Sequence, residues 1–139
     1  MNCTRRDFGR AAMLSAAGLA GAAAATLPSH VYRFDDLPVK TSGNNVTRAV
    51  FNGETHTGFP VEIHMTELPP GGAPHPAHHH VHEEMIMVHE GTMEVTISGK
   101  STTLGPGSMA YVASNEEHGW KNVGNTKALY WVVALGREK

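Results

Sequence analysis

From Thr47 onward the chain is cut into short apolar or alternating runs by turn chemistry, and this punctuation limits the fold more than any other feature. The runs cover residues 48–51, 61–68, 85–89, 93–97, 108–112, 119–122 and 128–135. Between them lie Asn52-Gly53, Pro69-Pro70-Gly71-Gly72, Glu90-Gly91, Gly105-Pro106-Gly107 and Val123-Gly124-Asn125. Evenly spaced short strands without a sustained 3.6-residue period predict an all-β antiparallel sandwich or barrel. Ser98-Gly99, between residues 93–97 and 100–103, is a candidate two-residue hairpin. With 139 residues the chain has room for one domain, and 40% hydrophobic residues supply its core. The domain is expected over residues 46–139.

Residues 1–25 read as an address. Thr4-Arg5-Arg6-Asp7-Phe8-Gly9-Arg10 precedes an Ala/Gly/Leu run over residues 11–25, giving a basic segment, a short apolar segment and small residues suited to cleavage. The run is too short to act as a permanent anchor across a ~30 Å hydrocarbon core. The paired arginines with Phe8 resemble the twin-arginine signal, with Gly9 and Arg10 in place of its Leu and Lys. The resemblance implies a cleavable signal helix and export to a bacterial periplasm. Cys3 lies before the apolar run and is the only cysteine, so no disulfide forms within the chain. Residues 26–45, with Pro28, Pro38 and Ser42-Gly43-Asn44-Asn45, read as a linker or arm. It holds one short strand at 31–34 and is able to pair with a sheet edge.

A formal charge of −2 and no Lys/Arg stripe argue against nucleic acid as a partner. Histidine is the anomaly: five of the ten fall between His75 and His82. Residues two apart on a strand face the same side, so His78 and His80 project together. Glu84 keeps their parity if the strand stays regular. A closed barrel would bring His118 across from a distant strand. Three imidazoles and one carboxylate suit Mn, Fe, Co, Ni, Cu or Zn better than Ca or Mg. The competing reading is a solvated His-rich loop. His79 and His89 have the opposite parity and are expected to be exposed. His82 falls at a bend and His75 at a rim, and neither is assigned as a ligand. Ile86 and Val88 continue inward from Glu84, and Trp120 and Asn122 from His118.

The spacing Gly72-x5-His78-x-His80-x3-Glu84-x6-Gly91 resembles the first motif of the cupin family at every fixed position. Gly107, Ala113, Asn115, His118 and Asn122 resemble its second motif, with Ala113 for Pro and Asn115 for Gly. Asn tolerates left-handed φ almost as Gly does, which lets the turn before His118 survive the change. The resemblance implies a single jelly-roll β-barrel with one divalent transition metal held by His78, His80, Glu84 and His118. It does not select a reaction, because this ligand set serves enzymes and non-catalytic proteins alike. The leading expectation is a metal-dependent enzyme on a small organic molecule, with oxygenase-type chemistry ahead. The alternative is a non-catalytic metal- or small-ligand-binding protein of the cell envelope. No catalytic residue beyond the ligands stands out, and residues 61–68 cannot be phased, which leaves His64 and Met65 unplaced. Met85, Met87 and His89 face outward, and two Met there predict cover by a partner subunit, as a homodimer, or by the N-terminal arm.

Overall fold

The structure is a computed structural model and describes residues 26–138. The leader read over residues 1–25 lies outside the described residues. Nine strands follow one another: β1 (Val39–Ser42), β2 (Asn45–Glu54), β3 (Pro60–Leu68), β4 (Glu83–Glu90), β5 (Met93–Ile97), β6 (Lys100–Leu104), β7 (Met109–Val112), β8 (His118–Asn122) and β9 (Ala128–Leu135). They form a six-stranded sheet in the order β1-β2-β3-β9-β4-β7, facing a three-stranded sheet in the order β6-β5-β8. All the pairings between these nine strands are antiparallel. The fold class is the all-β one expected.

Alternation sets what lies between the sheets. Ile86 and Val88 on β4, Tyr130 and Val132 on β9, Val95 and Trp120 on the small sheet, and Leu68 on β3 share one buried cluster. A large aliphatic side chain fully buried here contributes about 1.5–3 kcal/mol relative to leaving it in water. Trp120 Nε1 donates to the Tyr130 hydroxyl at 3.0 Å, so the two polar atoms of this core satisfy each other. Burial pushes the Tyr130 phenol far above its ordinary range, which keeps it neutral.

Turn chemistry acts where it was expected at two points. Ser98 and Gly99 both take positive φ, 47° and 79°, and close the β5–β6 hairpin with Ile97 opposite Lys100. Gly91 also has positive φ, and a Cβ there would lie 2.7 Å from the Ala128 Cα, so glycine is required both by conformation and by space.

The arm departs from expectation. Residues 31–33 form no strand, and a 3-10 turn follows at Phe34–Asp36. The strand of this region is β1 instead, which makes a hairpin with β2. Leu37 then covers Met65 and Leu129 on the outer face of the large sheet, with Val50 and Trp131 packed alongside. The arm therefore lies on its own sheet. Asn52-Gly53, read as a turn, sits inside β2 with Asn52 opposite Glu62 and Gly53 opposite Val61. A register shift between Ala49 and Phe51 bends this strand, and long-range pairing with β3 overrides the local turn signal.

Candidate metal centre

The four residues singled out by sequence come from three places in the chain. Glu84 is the second residue of β4 and points inward with Ile86 and Val88. His118 opens β8 and is buried. His78 and His80 precede β4 and do not belong to a regular strand, so the strand parity expected for them is not what aligns them. Their segment is instead laid against the free edge of β8. His78 and His118 exchange both backbone hydrogen bonds, at 2.9 and 2.8 Å. Asn122 N–H donates to the Gly72 carbonyl at 2.9 Å, and Asn115 N–H donates to the His80 carbonyl at 2.8 Å. Asn115 has φ 62°, the left-handed conformation that the motif's glycine position demands. That turn thus both aims His118 and fixes His80.

The side chains converge. His80 Nε2 lies 3.1 Å and His118 Nε2 3.2 Å from the same oxygen, Oε2 of Glu84. The His78 ring centroid is 5.1 Å from that of His80 and 4.8 Å from that of His118. One ring nitrogen from each of His78, His80 and His118 lies within 4.8 Å of the others, and so do donor atoms of His80, His82 and Glu84. The planes of His78, His80 and His118 are mutually inclined by 49° to 71°. Their in-plane lone pairs are therefore able to meet at one point. His82 instead stacks on His80 at 3.7 Å and 11°, and two parallel rings cannot aim in-plane lone pairs at a common ion. His82 occupies the expected bend and turns its Nδ1 toward Glu138 Oε1 at 3.1 Å.

Hydrogen bonding fixes the tautomers in a telling way. His80 Nδ1 lies 2.8 Å from the His82 carbonyl, and His118 Nδ1 lies 2.8 Å from the Glu116 carbonyl. Carbonyls only accept, so both Nδ1 atoms carry hydrogen, and in the neutral rings both Nε2 atoms carry lone pairs. Those lone pairs face a carboxylate oxygen. The arrangement is repulsive unless a positive charge sits among them, and a divalent ion meets that need. The carbonyl partners supply the outer support typical of metal-ligating histidines. His78 Nδ1 adds a further sign, being buried without a hydrogen-bond partner. Burial first, then the His75, His118 and His80 rings, hold the His78 imidazole below its ordinary range, against the opposing pull of Glu84. A neutral imidazole is the metal-binding form. The donor set and its surroundings fit a transition-metal ion.

Among the other histidines, His75, His79 and His89 are exposed, and the His75 ring packs edge-on to His78 at 4.3 Å. The cluster opens into a cleft of about 570 Å³ lined by His78, His80 and Glu84 and walled by β3 and residues 136–138. Among the lining residues that the sequence reading did not place at a site are Asn52, Glu62 and His64. Glu62 and His64 alternate with outward-facing Ile63 and Met65, so the apolar side of this alternation is the outer one, opposite to the usual inward reading. Asn122, inward as expected, does not line this cleft. Its amide is spent on the backbone of Leu68, Thr126 and Gly124 at 3.1, 2.7 and 2.9 Å.

Two antiparallel sheets closed over a histidine-lined mouth define a small jelly-roll barrel with a metal-type donor set. The cupin domain family matches residues 64–134, and the chain belongs to that family. Solved structures agree in fold. An RmlC-like cupin from Shewanella frigidimarina is 18% identical, with 79% of this chain and 93% of that chain covered and a TM-score of 0.66. The polyketide cyclase RemF from Streptomyces resistomycificus is 21% identical, with 80% and 81% covered and a TM-score of 0.61. A predicted oxalate decarboxylase from Thermotoga maritima is 19% identical, with 78% and 100% covered and a TM-score of 0.64. At such identities the likeness shows the fold alone. No curated protein sequence matches the chain.

Proposed function

We propose that this cupin holds one divalent transition-metal ion on His78, His80, Glu84 and His118 and is a metal-dependent enzyme acting on a small organic molecule in the adjoining cleft. The observation that carries the reading is the meeting of two lone-pair Nε2 atoms at one carboxylate oxygen, with both Nδ1 atoms already committed to carbonyls. Four protein ligands leave exchangeable positions on an ion that accepts six, and the cleft beside the cluster gives a small molecule room to reach them. When bound, a redox-active ion such as Mn or Fe supplies Lewis acidity and dioxygen chemistry, so oxygenase-type reactions lead. The fold is shared with a polyketide cyclase and a predicted oxalate decarboxylase, which supports small organic substrates in general and neither reaction in particular. The alternative, a non-catalytic metal-binding protein of the cell envelope, needs no open cleft. Elemental analysis of the protein purified after native export tests the metal. One equivalent of a transition metal is expected, and a metal-free protein that stays so on titration with Mn, Fe, Co, Ni, Cu and Zn would sink the reading.

Two further expectations belong to the same proposal. Export by a twin-arginine route rests on Arg5-Arg6 and Phe8, and Arg5→Lys with Arg6→Lys is expected to strand the protein in the cytoplasm. Undiminished export of that variant would remove the route. The homodimer rests on the outer face of β4 and β7, where Met87, Met109 and Tyr111 are 37%, 52% and 53% exposed and pair across the strands as Met87 with Met109 and Met85 with Tyr111. The arm covers Met65 and Leu129 instead, which leaves a second copy as the occupant of this strip. Sedimentation of the wild type at micromolar concentration as a monomer would end that claim.

A further inference from the structure

The large sheet carries a second polar group beside the cluster, and register places it. Asn52 on β2 pairs with Glu62 on β3, Glu62 with Ala134 on β9, and Ala134 with Glu84 on β4. Paired residues face the same side, so these four form one transverse row on the inner face, with Glu84 at the metal end. Glu62 stands two strands from Glu84, about 10 Å between backbones at the usual strand spacing. Only the Ala134 methyl lies between them. His64, two residues along β3, faces the same cleft from the next row, beside Val132.

These side chains are arranged about the Glu62 carboxylate. Asn52 Nδ2 donates to Glu62 Oε2 at 3.2 Å, and His64 Nδ1 stands 3.4 Å from Glu62 Oε1. The carboxylate favours the proton on Nδ1 of His64 and leaves Nε2 with a lone pair. Asn52 has spent a donor on Glu62, and the lining's arginine, Arg137, is paired with Glu54. Toward an occupant, the charged member of the trio offers only acceptors, the Glu62 oxygens, with His64 Nε2 beside them, while Asn52 keeps one amide hydrogen. The cluster end asks for the opposite, an oxygen with lone pairs for the ion.

We propose that Asn52, Glu62 and His64 form a second subsite of the cleft, which takes the hydrogen-bond-donor end, hydroxyl or ammonium, of a short-chain acid whose oxygen end lies at the His78, His80, Glu84 and His118 cluster. This rests on the metal reading and narrows its ligand class to small hydroxy or amino acids. Glu62 acts as acceptor and as positioning residue for His64, and Asn52 holds Glu62. Ala134 keeps the floor between the two ends clear.

The test uses the mature chain loaded with zinc and three probes that share a carboxylate: 4-aminobutanoate, 4-hydroxybutanoate and butanoate. Calorimetry is expected to show the two donor-bearing probes binding about tenfold tighter than butanoate, the scale of one hydrogen bond to a charged group. In Glu62→Gln the preference for 4-aminobutanoate should fall to about twofold or less, with zinc content and butanoate affinity unchanged. Equal binding of all three probes to wild type, or an undiminished preference in the variant, overturns the subsite. Loss of zinc in Glu62→Gln also overturns it, since Glu62 would then be serving the cluster. If the wild type takes up no zinc, the same probes are run with Mn, Fe, Co, Ni or Cu; if it takes up none of these, the metal reading fails separately, and propylammonium on the metal-free protein decides the subsite. A shift of the His64 ring resonance that Glu62→Gln abolishes sustains it, and no shift overturns it.

Discussion

The two ends of the barrel are built from the same strands and do opposite things with their polar residues. His118 and Asn122 stand four residues apart on β8 with the same inward parity, and both are buried. Asn122 sits at the end packed with Leu68, Met93 and Ala128, and its amide atoms all go to local backbone groups. His118 sits at the mouth, where its Nε2 lies 3.2 Å from the Glu84 carboxylate and its Nδ1 is held by a carbonyl. A buried amide with every bond made closes a fold. A buried imidazole facing another acceptor leaves a demand that an ion can meet. The contrast separates stability from chemistry along 5 residues of one strand.

The largest effect expected is at the mouth. His118→Ala should weaken metal binding by about a hundredfold or more, because loss of a ligand exceeds the 10–100-fold cost of losing a ligand's hydrogen-bond partner. Equilibrium dialysis measures this, and the stability of the metal-free variant should change far less than its affinity. At the closed end the pattern inverts. Asn122→Ala leaves buried backbone groups unpaired and is expected to lower unfolding free energy by about 2–4 kcal/mol in denaturant, with metal stoichiometry intact. If Asn122→Ala lost metal as readily as His118→Ala, the two ends would not be separable. An intermediate effect belongs to the turn that aims His118. Asn115→Ala forces an ordinary residue into φ 62° and should cost about 1 kcal/mol, whereas Asn115→Gly should restore or exceed wild-type stability. The smallest is His79→Ala, which removes an exposed ring and should change neither metal content nor melting temperature. A measurable loss of metal there would show that the loop binds in a different phase.

Much of this contrast could be read in the sequence, though for uneven reasons. Glu84, Ile86 and Val88 share a face by simple strand period, and β4 obeys it. His78 and His80 come together without a strand, through backbone bonds to His118 and Asn115 that no local pattern encodes. Asn115 was legible because conformation at one residue is a local property. His64 and Glu62 were not, because the arm packs Leu37 onto the outer side of β3, so that apolar Ile63 and Met65 face outward and the polar pair faces inward. Where the outer face of a strand is covered as well, alternation no longer tells which side is the inner one. Long-range pairing likewise makes Asn52-Gly53 strand against β3 and puts the arm's own strand at Val39–Ser42, against β2, rather than at 31–34.

The position of β9 in the sheet order has a consequence for timing. β9, the last of the described strands in chain order, is what joins β3 to β4, so Glu62 and His64 stay on a different unit from Glu84 until Leu135 has been synthesised. The hairpins β1–β2–β3 and β5–β6 are able to form on the growing chain, but the cleft is not. Such distant pairings fold slowly, on the order of milliseconds to seconds. The cleft therefore forms only after β9 has been made, and a ribosome stalled before residue 128 would carry β1 to β8 and no complete cleft.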